Sequence, residues 1–137
     1  MADIVDRRAR SRMMAGIKGK HTKPELVVRS YLHRRGLRFR LHQRNLPGNP
    51  DIVLAKYRTA VFVHGCFWHQ HEGCRFAYMP SSNTTFWKDK LQSNVARDAK
   101  QSVALVELGW RVLTLWECET RNSSALDRLV SQIRREI

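Results

Sequence analysis

Between His64 and Cys74 the chain reads His-Gly-Cys-Phe-Trp-His-Gln-His-Glu-Gly-Cys, setting three histidines, two cysteines and two large aromatics in one short segment. Cys66, His71 and Cys74, with Cys118 far downstream, offer three thiolates and one imidazole. That is a closed tetrahedral donor set, the pattern of structural rather than catalytic zinc, and it would add folding energy and fix the loop's shape. Unliganded buried cysteines are the other reading of the same spacing. With those positions assigned to zinc, His64 and His69 are left over. A free imidazole beside a divalent cation can act as general base for water. A hydrogen-bonded structural role is the plainer alternative for each.

A carboxylate stands in an equally suggestive place. Asp51 follows Pro47-Gly48-Asn49-Pro50 and opens the run Ile52-Val53-Leu54-Ala55. A loop feeding a strand lets a carboxylate face a cleft rather than a core. The next run, Thr59 to His64, is joined by the short Lys56-Tyr57-Arg58 link, so the two predict a hairpin. Its geometry would bring Asp51, the Val63 backbone and His64 together, with Glu25 reaching them from the first helix. Hard oxygen ligands of this kind suit Mg²⁺, and a metal beside an imidazole is sufficient for phosphodiester hydrolysis. Taken singly, Asp51 also fits a turn or cap, and Glu25 fits a capping box begun by Thr22.

The elements that must position these groups follow from local signals. Thr22-Lys23-Pro24-Glu25 predicts a helix start, Leu26, Val27, Tyr31 and Leu32 its apolar face, and Gly36 its end. Leu37 to Leu41 reads as a strand and Asn45 to Pro50 as a turn-rich loop. After the predicted hairpin, Cys66 to Asn83 is a loop. A long helix is predicted from about Thr85 to Leu108, with an apolar stripe of Leu91, Val95, Ala99 and Val106 and with Gly109 past its end. Trp110 to Trp116 predicts a buried strand. Ser123 to Arg135 predicts an amphipathic helix with Leu126, Leu129, Val130 and Ile133 on one face. The order α-β-β-β-α-β-α implies an α/β protein with a central mixed sheet flanked by helices.

Composition narrows the partner. The 137 residues amount to one domain, and 25 Lys plus Arg against 12 Asp plus Glu give a net charge of +13. That field points to a polyanion, DNA or RNA or an anionic membrane. Residues 1–21 form a basic arm with Arg7, Arg8, Arg10, Arg12, Lys18 and Lys20, expected to order on its partner. No apolar run approaches the roughly 20 residues that span a bilayer. Met1 to Arg12 lacks the apolar middle of a signal peptide, so a cytoplasmic location is expected, where three cysteines would stay reduced. Phe67 and Trp68 within the Cys/His loop, and Trp87 at the start of the long helix, suit stacking on or wedging between bases. Packing as a satellite core beneath the loop is the alternative. Lys90, Asn94, Arg97 and Asp98 share a charged helix face that could enter a groove and read base edges.

Leu46-Pro-Gly-Asn-Pro-Asp51, Val61-Phe-Val-His-Gly-Cys-Phe-Trp-His69, Phe86-Trp87 with Lys90 and Asn94-Val-Ala-Arg-Asp98, and Leu108-Gly-Trp-Arg-Val-Leu with Trp116-Glu-Cys118 resemble the very-short-patch-repair (Vsr) endonucleases. The likeness runs from the Arg10-Ser11 arm to Cys118, and the stretch from His64 to His69 is its most specific part. It implies a type II restriction-endonuclease-like core and a Mg²⁺-dependent nickase cutting 5′ to the thymine of a T·G mispair. Such mispairs arise when 5-methylcytosine deaminates, which links the family to a cytosine-C5 methyltransferase and to mismatch-repair proteins. By motif position Asp51 and the Val63 carbonyl would bind Mg²⁺, and His69 would be the general base. His64 and Glu25 would hold metal-bound or attacking waters. Cys66, His71, Cys74 and Cys118 would hold structural Zn²⁺. Phe67, Trp68 and Trp87 would wedge in from the major groove, and the arm, with Met14, would approach from the minor groove. Lys90, Asn94 and Asp98 fall where family members contact the mispair. The implied division is a DNA-contacting arm, 1–21, and an endonuclease domain, 22–137, acting as a monomer on nucleoid DNA.

Two departures stand out. Val63 replaces a threonine found in some members, which a backbone-carbonyl ligand tolerates. Glu72-Gly73 separates His71 from Cys74 by one residue more than in some members. The sequence stops soon after its last helix, so a longer tail is not expected. Two other function classes compete: a non-catalytic zinc-stabilised DNA-binding module, and a zinc hydrolase or deaminase using His69 and His71. The second lacks both a Pro-Cys-x-x-Cys and a His-Glu-x-x-His motif.

Overall fold

The computed structural model describes residues 22–135, so the basic arm, Met14 included, lies outside the described residues. Helix α1 spans Lys23–Arg34. Thr22 caps it, its Oγ1 accepting from the Glu25 N–H at 3.4 Å, and Pro24 sits in the first turn, where no backbone donor is needed. The helix ends at Gly36, whose φ of 79° is the left-handed conformation that glycine adopts without penalty. Half of the expected apolar face is corrected: Leu32 is buried and Tyr31 packs against the core, but Leu26 and Val27 are 48% and 36% exposed. The inward line is Glu25, Val28 and Leu32, three and then four residues apart, so a carboxylate holds a core-facing position.

Four strands form one mixed sheet in the order β1-β2-β3-β4: β1 Arg40–Leu41, β2 Ile52–Leu54, β3 Thr59–His64 and β4 Arg111–Trp116. The first two are shorter than the apolar runs suggest, because each gives way at once to a turn or loop. The predicted hairpin of β2 and β3 is present, antiparallel with Ile52 opposite Val61. Its link is a 3₁₀ turn, Ala55–Tyr57, closed by Arg58 in a left-handed conformation. β1 also pairs antiparallel with β2, Leu41 opposite Ile52, and β4 runs parallel to β3, His64 opposite Trp116.

Side-chain alternation splits β3 and β4 between two faces. Val61, Leu113 and Leu115 pack with α1 and with the last helix, α3, Ser123–Arg134. Asn122 caps α3 with bonds to the Ser124 and Ala125 N–H groups, and its buried face includes Leu126, Leu129, Val130 and Ile133, as periodicity predicts. On the other face Ala60, Phe62 and Val112 meet the long helix α2, Thr84–Glu107, chiefly through Leu105. This second layer is thin, so β4 is only partly covered. Leu115 is its one buried residue and Thr114 is exposed, against the expectation of a buried strand.

The predicted stripe on α2 is corrected as well, with Val95 43% and Val106 59% exposed. The inward line runs Leu91, Asn94, Asp98, Gln101, Leu105: buried and apolar at its ends, polar and half-buried in the middle. The polar middle spans a cavity. No described helix is long and apolar enough to cross a membrane.

Candidate active site

The cavity, about 700 Å³, lies among the start of α1, the loop before β2, the end of β3, the segment Gly65 to His69 and the middle of α2. Gly48 lets the loop approach α2 closely: a Cβ there would lie 3.0 Å from Gln101 Oε1, and the φ of 78° disfavours any other residue. Three residues on, Asp51 is half-buried and accepts a hydrogen bond on Oδ2 from the Val63 N–H at 2.7 Å. The hairpin therefore does bring Asp51 to the Val63 backbone, and the bond formed uses the amide.

Glu25 enters from α1, only 2% exposed. Arg29, one turn on, donates from Nη2 to Oε2 at 3.0 Å, and His42 donates from Nε2 to Oε1 at 2.6 Å. The Glu25 carboxyl also bonds the Asp51 carboxyl. Burial pushes Asp51 up to about 7; the Val63 amide works against this and the Glu25 charge adds to it. One ligand atom from each of Glu25, His42 and Asp51 lies within 4.8 Å of the others. Two crowded carboxyls that retain a proton form a donor set a divalent cation would satisfy, so these residues fit Mg²⁺.

The two leftover histidines line the same cavity as Asp51. Alternation along β3 sends His64 to the α2 side, beside Phe62. His64 stacks on His69 with ring centroids 3.8 Å apart and planes 3° from parallel. His69 Nδ1–H donates to Asp98 Oδ2 at 2.6 Å, which leaves Nε2 as the basic nitrogen. Burial pulls His64 down to about 4, helped by the charge of His69 and opposed by Asp98, so it is neutral at pH 7. Lys90 and Arg97 add positive charge to the lining.

The aromatics gather beside the cavity. Phe67 packs against Trp68, Tyr78 and Trp87 at 5.0, 5.0 and 5.5 Å, with Trp68 and Trp87 5.9 Å apart. All of these but Tyr78 are half-buried, and Tyr78 and the neighbouring Phe86 are about 60% exposed. Asn94 Nδ2 donates to the Trp68 carbonyl at 3.0 Å, fastening the aromatic loop to α2. Among the helix residues singled out for base contact, Asn94 and Asp98 thus also bond inside the protein, one to Trp68 and one to His69.

The Cys/His set closes on itself. Cys66, His71, Cys74 and Cys118 each offer a ligand atom within 4.8 Å of the others. His71 Nδ1 lies 3.8 Å from Cys66 Sγ and 3.5 Å from Cys118 Sγ, and its ring stacks on Trp116 at 4.2 Å. Cys118 sits in the 3₁₀ turn after β4, so a shared cation would tie the loop to the sheet. Burial pushes the Cys66 thiol up to about 12, and a cation that replaced its proton would relieve this. The donors fit zinc.

His42 and Arg29 are site residues that patterning misses. Arg29 carries a signal, since it stands one helical turn from Glu25, whereas His42 comes across from residue 51 only through the pairing of β1 with β2.

An acid pair suited to a cation, with a carboxylate-oriented imidazole in the cavity that Asp51 lines, on a mixed α/β scaffold of strong positive charge, is the equipment of a phosphodiester hydrolase. Residues 2–75 match the family described as DNA mismatch endonuclease Vsr. The chain is 44% identical over 133 residues to the type II nicking enzyme V.XorIIP of Xanthomonas oryzae pv. oryzae, covering 97% of each. It is 42% identical over 137 residues to the type II nicking enzyme V.NmeAIP of Neisseria meningitidis, covering all of this chain and 97% of that one. It is 44% identical over 126 residues to the DNA mismatch endonuclease Vsr of Escherichia coli K12, covering 92% of this chain and 80% of that one. The chain belongs to the Vsr DNA mismatch endonuclease family.

Proposed function

We propose that this chain is a Mg²⁺-dependent, strand-specific nickase that hydrolyses the phosphodiester 5′ to the thymine of a T·G mispair, and so initiates very-short-patch repair of deaminated 5-methylcytosine. The observation that carries the reading is one cavity lined by Asp51, His64 and the bonded His69–Asp98 pair, with Glu25 buried and bonded to Asp51. Family membership supports a restriction-endonuclease-like core and an endonuclease domain over 22–137, with the arm 1–21 on the DNA.

Mg²⁺, held by Asp51 and the Val63 carbonyl, would stabilise charge developing on the scissile phosphate. Glu25 holds water beside Asp51. His69 takes the proton of the attacking water on Nε2, and Asp98 fixes the tautomer that can do so. His64, neutral at working pH, orients water without adding a competing charge. Cys66, His71, Cys74 and Cys118 would hold zinc, which would brace the loop that carries Phe67, Trp68 and His69. Phe67, Trp68 and Trp87 wedge in from the major groove, Met14 approaches from the minor groove, and Lys90, Asn94 and Asp98 lie along the mispair. A T·G wobble stacks poorly, so opening it costs less than opening a matched pair, and selectivity arises from deformation as well as contact. One site suffices for one nick, which suits a monomer. The mispair's origin ties its action to that of a cytosine-C5 methyltransferase, with mismatch-repair proteins as further partners.

The test is a nicking assay on duplexes with each strand labelled, carrying one T·G or one T·A pair in several flanking contexts, with and without Mg²⁺. A Mg²⁺-dependent nick 5′ of the mispaired thymine, lost in Asp51→Ala, is expected. Tight, salt-sensitive binding with no cut in any context would instead favour a non-catalytic DNA-binding module.

A further inference from the structure

We infer that His42 is a positioning residue of this active site, holding the Glu25 carboxylate against Asp51 so that the two acids present one cation site. The inference rests on the nickase reading of that site. Glu25 is 2% exposed and lies beside a second carboxyl, an arrangement that burial and charge both oppose. Among the described residues Arg29 and His42 offset this, and they do so differently. Arg29 sits one turn along the same helix, so its bond to Oε2 neutralises charge but moves with α1. His42 comes from the end of β1, so its bond to Oε1 ties the helix residue to the sheet.

The backbone of His42 is committed to the same contact. Its φ is 45°, a left-handed conformation uncommon for a residue other than glycine. Its N–H donates to the Asp51 carbonyl at 3.2 Å, and its side chain is 10% exposed. The contacts close a ring: Asp51 backbone to His42 backbone, His42 imidazole to Glu25 carboxylate, Glu25 carboxyl to Asp51 carboxyl. The separation of the two acids, one on α1 and one ahead of β2, is thereby set through His42. Strain retained at such a contact is the pattern of a functional constraint. Without the imidazole, Glu25 keeps Arg29 and its contact with the Asp51 carboxyl but loses the bond from the end of β1.

The experiment is a Mn²⁺ titration of zinc-loaded protein without DNA, followed by the electron paramagnetic resonance of free Mn²⁺, beside nicking rates as a function of Mg²⁺. His42→Ala is expected to weaken Mn²⁺ binding about tenfold and to raise the Mg²⁺ concentration for half-maximal nicking similarly, with DNA affinity unchanged. His42→Gln, whose amide places an N–H near the position of Nε2, is expected to restore both to within about threefold. A folded His42→Ala protein with wild-type Mn²⁺ affinity and Mg²⁺ dependence would overturn the inference. So would a folded His42→Gln protein as impaired as His42→Ala. Asp51→Ala separates the two levels: nicking that survives it refutes the nickase reading and this inference with it, whereas nicking lost there but untouched in His42→Ala refutes the role of His42 alone.

Discussion

Replacing Asp51 by Asn should remove activity and yet stabilise the metal-free protein, by an amount that depends on pH. Burial beside Glu25 raises the Asp51 carboxyl from 3.8 to about 7. The fold therefore binds that proton more tightly than the unfolded chain does. Asp51's contribution to stability is greatest at acid pH, falls as pH climbs from 3.8 through 7, and above that the full penalty of an ionised Asp51 is present. That penalty corresponds to roughly 4 kcal/mol at 1.36 kcal/mol per pH unit. An asparagine keeps an acceptor for the Val63 N–H and gives Glu25 a neutral neighbour, so it avoids the penalty. The variant should gain on the order of 2–4 kcal/mol over wild type at pH 8 and nothing near pH 4. At roughly 3 °C per kcal/mol for a domain of this size, the difference in Tm at pH 8 is about 6–12 °C. Thermal unfolding in Mg²⁺-free buffer without chelator, which leaves zinc in place, reads this directly. The depressed His64 is present in both proteins and cancels in the difference. Mg²⁺ should then stabilise the wild type by about 2.7 kcal/mol at a hundred times its Kd, raising its Tm, and leave the variant unmoved. An Asn variant that tracks wild type across the whole pH range would refute the idea that this site stores charge for a cation.

Three further outcomes follow from the same geometry. Asp98→Asn leaves His69 without the carboxylate that fixes its tautomer, so the single-turnover nicking rate at saturating DNA should fall about 10²–10⁴-fold; a rate near wild type would remove Asp98 from the chemistry. Cys118→Ser should abolish stoichiometric zinc, measured by atomic absorption, and lower thermal stability; full zinc retention would refute the four-ligand site. Phe67→Ala with Trp68→Ala should cut the T·G over T·A preference in nicking at least tenfold, since base–aromatic stacking contributes about 1–3 kcal/mol per base; intact discrimination would refute the wedge.

Where hydrophobic periodicity misreads a face, it does so for one physical reason. Helix α3 holds no site residue, and Leu126, Leu129, Val130 and Ile133 are buried as their spacing predicts. The hairpin of β2 and β3 is equally legible, and with it the meeting of Asp51 with Val63, because strand alternation and a short link leave little choice of register. On α1 the apolar residues Leu26 and Val27 point outward, while Glu25 takes an inward position ahead of Val28 and Leu32. On α2 the inward line is apolar only at Leu91 and Leu105, and between them Asn94, Asp98 and Gln101 face the cavity. In both helices polar groups replace core residues where the helix crosses the site, and a pattern search that rewards apolar spacing is drawn to another face. His42 is hidden differently, since its placement depends on β1 pairing with β2 across a loop, which no local signal announces. The two helices whose apolar pattern disagrees with their burial are the two that carry Glu25 and Asp98. That disagreement is itself a marker of function, because a fold leaves polar side chains on an inward line only where a cavity and its chemistry require them.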